Sequence, residues 1–282
     1  MSKRIFWGGL AALSSVVIIW MGGIYYAVIV GVLTLLALHE YAELLKKQNL
    51  RPQTALLAII SIGLLTVIFI LAQNPRMLPG QFPKNCERFL TLALVIVFFI
   101  TLGFELFRGD PDQGLINAAA NLFGAVYIGF MFAYILLLRF ISSENGLFYL
   151  IFTTFVTWAN DTAAYFIGVK FGKHKLSPRI SPKKTVEGSF GGLAGGVVTA
   201  FFLATLFQEP LFFFGILGAI VVIAGQFGDL IESIIKRNAG VKDSGSFLPG
   251  HGGVLDRFDS LLLSAPVVYY AIVYVAPFFN LT

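Results

Sequence analysis

Apolar residues fill long stretches of this chain, and polar residues gather at the joints between them. A helix needs about 20 mostly apolar residues to cross about 30 Å of hydrocarbon. Nine stretches approach that length, at 5–22, 24–43, 54–73, 89–107, 115–138, 147–170, 188–207, 211–235 and 255–278. The first two are separated only by Met21, Gly22 and Gly23, which implies a tight hairpin. The pattern predicts an all-α, polytopic integral membrane protein with about nine transmembrane helices. Lys3 and Arg4 precede a run to Met21 that is long for a secretory signal and lacks an Ala-x-Ala cleavage site, so a retained first helix is expected.

Charge sets the orientation. If each stretch crosses, sixteen of the twenty Lys and Arg fall on one side, leaving only Arg76, Lys84, Arg88 and Arg139 opposite. The excess of basic residues in cytoplasmic loops then places the N-terminus in the cytoplasm. Composition agrees with a membrane protein: 57% of residues are hydrophobic and 12% charged, against roughly 25% charged in soluble domains. The net charge of +5 therefore reads as topology and does not call for nucleic acid. The single cysteine, Cys86, cannot form a disulfide within the chain.

The two halves differ. Residues 1–145 are apolar helices with ordinary connectors, suited to lipid contact and to a dimer surface; residues 146–282 hold nearly all the unusual polar chemistry and form the expected catalytic region. A charge inside the membrane costs about 2.5–3.5 kcal/mol on insertion scales, so such residues are functional by default. Asp161 lies in the sixth stretch, Asp229 and Glu232 in the eighth, and Asp256 and Asp259 begin the ninth. Asp229, Glu232, Ser233 and Lys236 share one helix face, as do Asp256, Asp259 and Ser260. A divalent cation would relieve the repulsion among these acids, and oxygen ligands without a Cys or His cluster point to Mg²⁺ rather than Zn²⁺. A salt-bridge network with Lys236, Arg237 and Arg257 would neutralise the same acids.

Two loops carry candidate phosphate contacts. The segment 240–253 is glycine-rich and includes Lys242, Asp243, Gly250, His251, Gly252 and Gly253. Glycines let backbone N–H groups approach an anion, and the following helix N-terminus favours one. The segment 177–189 holds Ser181, Lys183, Lys184 and Glu187. Its lysines either meet a substrate phosphate or merely attract anionic headgroups. No nucleotide-binding Gly-x-x-x-x-Gly-Lys-Ser/Thr loop and no Gly-x-Ser-x-Gly elbow is present.

The run from Ser233 to Asp259, through Lys236-Arg237, Lys242-Asp243, Pro249-Gly250-His251-Gly252-Gly253 and Asp256-Arg257, closely resembles the signature of the phosphatidate cytidylyltransferase (CDP-diacylglycerol synthase) family. Ser181-Pro-Lys183-Lys184-Thr185-Val-Glu187-Gly188 is similar to the same family. The resemblance covers about the last 100 residues. It implies a homodimer that joins CTP and phosphatidic acid into CDP-diacylglycerol and pyrophosphate, with Mg²⁺ and a second metal position that K⁺ can take. It implies that Asp229 and Asp256 hold metal, with Asp259 and Glu232 in or near the shell. Lys236, Arg237 and Arg257 would neutralise phosphates, and Lys183 and Lys184 would meet one substrate. The expected setting is a bacterial inner membrane, with the site facing the cytoplasm. Two rival readings are a CTP-dependent lipid-alcohol kinase and an ion-coupled transporter.

Overall fold

A computed structural model describes residues 2–74, 81–142, 145–247 and 252–279. Seven helices among the described residues are long and apolar enough to cross a membrane. Among the described residues, strand is confined to one short antiparallel hairpin. The chain is thus a multi-pass, all-α membrane protein, and it divides into two compact units, Met1–Ile141 with Asn238–Arg257, and Ser142–Arg237 with Phe258–Thr282.

The first unit contains α1 (Ser2–Met21), α2 (Gly23–Lys47), α3 (Thr54–Ala72), α4 (Gln81–Arg108), α5 (Gly114–Gly124) and α6 (Met131–Phe140). A single π-helical turn, Ala125–Phe130, joins α5 to α6, so the two form one continuous rod. Tyr26, Val30, Thr34, Ala37, Tyr41 and Leu45 recur at helical spacing on the buried face of α2. Two tyrosines on that face end in hydrogen bonds to backbone, Tyr26 to the Ile135 carbonyl at 3.0 Å and Tyr41 to that of Ala120 at 2.8 Å. Arg139 donates to the Ile19 carbonyl near the end of α1, which satisfies an orphan helix carbonyl with a cation. The connector into α3 is tied down by polar side chains. Gln53 reaches Glu105 at 2.6 Å, and Asn117 and Asn121 accept from the amides of Arg51 and Gln53.

The second unit contains α7 (Gly146–Phe171), the hairpin β1 (Lys175–Ser177) and β2 (Ser181–Thr185), α8 (Val186–Leu206), α9 (Leu211–Asn238) and most of α10 (Leu255–Tyr270). Small residues let these helices approach closely, the usual device where lipid removes the hydrophobic drive between helices. Gly188, Gly192 and Gly196 form a four-residue repeat along α8; a Cβ at the first two would strike Ala164 and Asn160 of α7.

Two expectations shift. The expected span 5–22 is helix α1. The expected span 147–170 is a helix too, but it is not among the seven apolar enough to count as membrane spans, because Asn160 and Asp161 interrupt its apolar run. The helix that holds the fourth span begins at Gln81 rather than at 89, because Lys84, Glu87 and Arg88 are good helix formers that hydropathy does not register.

Candidate active site

The basic segment expected as a loop folds into the β1–β2 hairpin, with Lys175 opposite Thr185 and Ser177 opposite Ser181. Its base is fixed by the start of α8. The Thr185 hydroxyl caps that helix by accepting from the Gly188 amide at 3.1 Å. Glu187, in the first turn, accepts from the amides of Lys173 and His174 at 3.0 and 3.2 Å and lies 2.6 Å from the His174 ring. Glu187 was a candidate substrate contact; in the structure its carboxylate anchors the base of the hairpin. Arg237, from the end of α9, donates to the Ile180 carbonyl in the hairpin turn at 3.2 Å. Lys183 is exposed on β2, whereas Lys184 is half-buried and pairs with Asp229 of α9.

Around that pair the acids converge. Asp229, Glu232 and Asp259 each offer a carboxylate oxygen, and these oxygens lie within 4.8 Å of one another. Glu232 is buried and pairs with Lys236 one turn further along α9. The convergence follows from backbone contact: a Cβ at Gly228 would meet the carbonyl oxygen of Asp259 and the Cα of Ser260. A glycine directly before Asp229 therefore lets α9 lie against the acidic turn of α10.

Three carboxylates from two helices, one of them fully buried, suit a hard divalent cation with oxygen ligands. The ammonium groups of Lys184 and Lys236, paired with Asp229 and Glu232, already balance part of that charge.

Polar side chains that the sequence reading did not single out brace this arrangement. Gln226 of α9 donates to Asn160 of α7 at 2.9 Å and to the Ser189 carbonyl of α8 at 3.0 Å, and the Ser189 hydroxyl donates back to Gln226. Asn160 in turn donates to Asp161 at 2.9 Å. One amide thus locks three helices behind the acids.

In the first unit, the glycine-rich loop is occupied by the chain's own carboxylates. Asp256, in the first turn of α10, was expected to hold metal. Its Oδ2 accepts from the Ser244 amide at 2.8 Å, the Ser244 hydroxyl at 2.9 Å and the Gly253 amide at 2.8 Å. Glu40 of α2, not anticipated from sequence, accepts from the Val254 and Leu255 amides at 2.8 and 3.0 Å, and it shares the single proton of the Ser244 hydroxyl, 2.9 Å away, with Asp256. The amides of 244, 253, 254 and 255, expected to cradle a phosphate, are therefore spent internally. Lys242, Asp243 and Arg257 are exposed, and Gly252 is partly so. The candidates Gly250 and His251 lie outside the described residues.

The family model of the cytidylyltransferases matches residues 2–275. The chain belongs to the cytidylyltransferase family. Among relatives of this cytidylyltransferase is the phosphatidate cytidylyltransferase of Bacillus subtilis (strain 168), 36% identical over 276 residues, covering 96% of this chain and 97% of the relative. Another, from Staphylococcus haemolyticus (strain JCSC1435) and of the same name, is 36% identical over 255 residues, covering 89% and 91%. A third of that name, from Staphylococcus saprophyticus subsp. saprophyticus, is 40% identical over 178 residues, covering 62% and 66%. The resemblance read from the last 100 residues thus extends through nearly the whole cytidylyltransferase chain, the helices of the first unit included.

Proposed function

We propose that the protein transfers the cytidylyl group of CTP to phosphatidic acid, releasing pyrophosphate and leaving CDP-diacylglycerol. A phosphate oxygen of phosphatidic acid attacks the α-phosphorus of CTP, and the bond from that phosphorus to the bridging β-phosphate oxygen breaks. The nucleophile needs no general base, because a phosphate monoester is largely a dianion near neutral pH, its second pKa being about 6. The difficulty is bringing two anions together, so the protein's work is positioning and charge neutralisation.

The observation that carries the reading is the cluster of Asp229, Glu232 and Asp259, with Lys184 and Lys236 paired to its members. These three acids would hold Mg²⁺, which when bound supplies positive charge to the reacting phosphates. K⁺ at a second position belongs to the same reading. Lys184 sits on a hairpin rather than on a membrane helix, so it can turn from Asp229 to a substrate phosphate with little change elsewhere. Lys236 is buried and braced by Glu232, which suits a fixed counter-charge. Arg237 contributes by holding the hairpin turn. The hairpin carries Lys175, Arg179, Lys183 and Lys184, and that concentration of cations supports placing it at the cytoplasmic face of a bacterial cell membrane, where CTP arrives from water and phosphatidic acid from the leaflet.

Purified protein supplied with phosphatidic acid, Mg²⁺ and CTP labelled at either the α- or the γ-phosphorus tests the reaction. The α-label is expected in the lipid and the γ-label in pyrophosphate. A γ-label carried onto a lipid alcohol supplied in place of phosphatidic acid would instead establish the lipid-alcohol kinase rival. Lys184→Ala is expected to raise the apparent KM for phosphatidic acid or CTP about tenfold, the equivalent of about 1.4 kcal/mol. Unchanged KM and kcat would reduce the hairpin to a topology signal.

A further inference from the structure

We propose that Glu40 is a positioning residue for the reaction, holding the glycine-rich loop and the first turn of α10 in working register from the N-terminal half of the chain. The inference rests on the cytidylyl-transfer reading above. Glu40 lies on α2 among Ala37, Leu38, Tyr41 and Leu44, all buried and apolar or aromatic, and is itself only 8% exposed. A carboxylate there is expensive unless it is hydrogen-bonded. Its partners all lie more than 200 residues later: the amides of Val254 and Leu255, and the hydroxyl of Ser244, whose proton it shares with Asp256.

Those two amides stand at the start of α10, among the N–H groups a helix cannot satisfy itself, at its positive end. Glu40 therefore caps α10 from another helix. Ser244 extends the hold, because its amide and hydroxyl both reach Asp256 Oδ2. The Asp256 carboxylate is thus set by Glu40 through one serine, and Asp259 follows one turn later in the same helix.

Steric fit argues the same way. A Cβ on Gly245 would meet Glu40 Oε1, Cδ and Cγ, and one on Gly253 would meet both Glu40 oxygens and the Ser244 hydroxyl. The backbone at Gly245 and Gly253 packs directly on this carboxylate, with no room for a Cβ unless Glu40 shifts. A charge whose only task was to stabilise the bundle would not need loop glycines shaped around it.

The test is a double-mutant cycle in the full-length protein, scored by kcat and KM for both substrates. Glu40→Ala is expected to lower kcat about a hundredfold, the scale of a 1 Å misplacement of reacting groups, with KM for CTP changed less than threefold. Glu40→Gln, which keeps the shape and one acceptor oxygen, should recover a substantial part of kcat. Gly245→Ala should lower kcat on its own yet add less than twofold to Glu40→Ala, because the atoms it strikes are gone. Multiplicative effects of the two substitutions, or a Glu40→Ala kcat within twofold of wild type, would overturn the proposal. Backbone hydrogen exchange supplies a readout independent of turnover. Glu40→Gln should speed exchange in peptides spanning 244–257 and leave α7 to α9 unchanged; uniform acceleration, or none, would overturn the proposal even if Glu40→Ala does not fold. If wild type makes no CDP-diacylglycerol, the functional reading fails, while the exchange experiment still decides whether Glu40 holds the loop.

Discussion

Asp259→Asn is expected to cut CDP-diacylglycerol synthesis by about a thousandfold, at the upper end of what removing one preorganised electrostatic group does, without lowering the melting temperature in detergent. The substitution is nearly isosteric and removes one negative charge from a cluster of three carboxylates whose oxygens lie within 4.8 Å of one another. If the acids were there to build the fold, neutralising one would cost stability by breaking a pair. If they are held close for function, their mutual repulsion is a strain, and relieving it leaves the protein as stable as before or more so. Turnover and thermal unfolding measured on the same preparation separate the two. Glu232→Gln provides the contrast: it leaves the buried Lys236 ammonium without the carboxylate it pairs with, so both stability and activity should fall.

Gly228→Ala should damage the protein nearly as severely by another route. The added methyl would meet the Asp259 carbonyl oxygen and the Ser260 Cα, which are backbone atoms that cannot rotate away. Helices α9 and α10 would have to separate, at an overpacking cost of about 1–3 kcal/mol. Asp229 is the next residue on α9 and Asp259 carries the struck carbonyl, so the separation opens the acid cluster itself. The expected result is a lower melting temperature and a loss of turnover of about a hundredfold or more. Gly63→Ala is the control: on α3, a Cβ there meets nothing within 4 Å, and both properties should be unchanged.

The parts of this account that sequence exposes are those whose partners lie within a few helical turns. Asp229, Glu232 and Lys236 share a face by spacing alone, and the structure puts Glu232 against Lys236 and Asp229 beside both Glu232 and Asp259. Membrane helices were legible because lipid demands long apolar runs. Long-range pairings were not. Glu40 drew no notice in the sequence because its partners follow it by 204 to 215 residues. Asp256 and Asp259 appear equivalent in sequence, yet Asp256 Oδ2 receives loop amides while Asp259 joins Asp229 and Glu232. No periodicity separates those duties. Gln226, Asn160 and Ser189 were hidden for the same reason: each is an ordinary polar residue until three helices meet around it. The anchoring of the hairpin by Glu187 was hidden too: an acid among lysines suggests a ligand site, whereas the first turn of a helix is also where a carboxylate collects loop amides.

The most direct test of the account is Mn²⁺ binding, followed by its electron paramagnetic resonance signal, in wild-type protein and in the Asp229→Asn/Asp259→Asn variant, with CDP-diacylglycerol synthesis assayed alongside. Wild type is expected to bind the ion and to lose synthesis when divalent cations are chelated, and the variant is expected to lose both binding and synthesis while remaining folded. A variant that binds Mn²⁺ as wild type does, or a wild type that keeps its full rate without any divalent cation, would contradict the claim that these acids hold the ion on which the reaction depends.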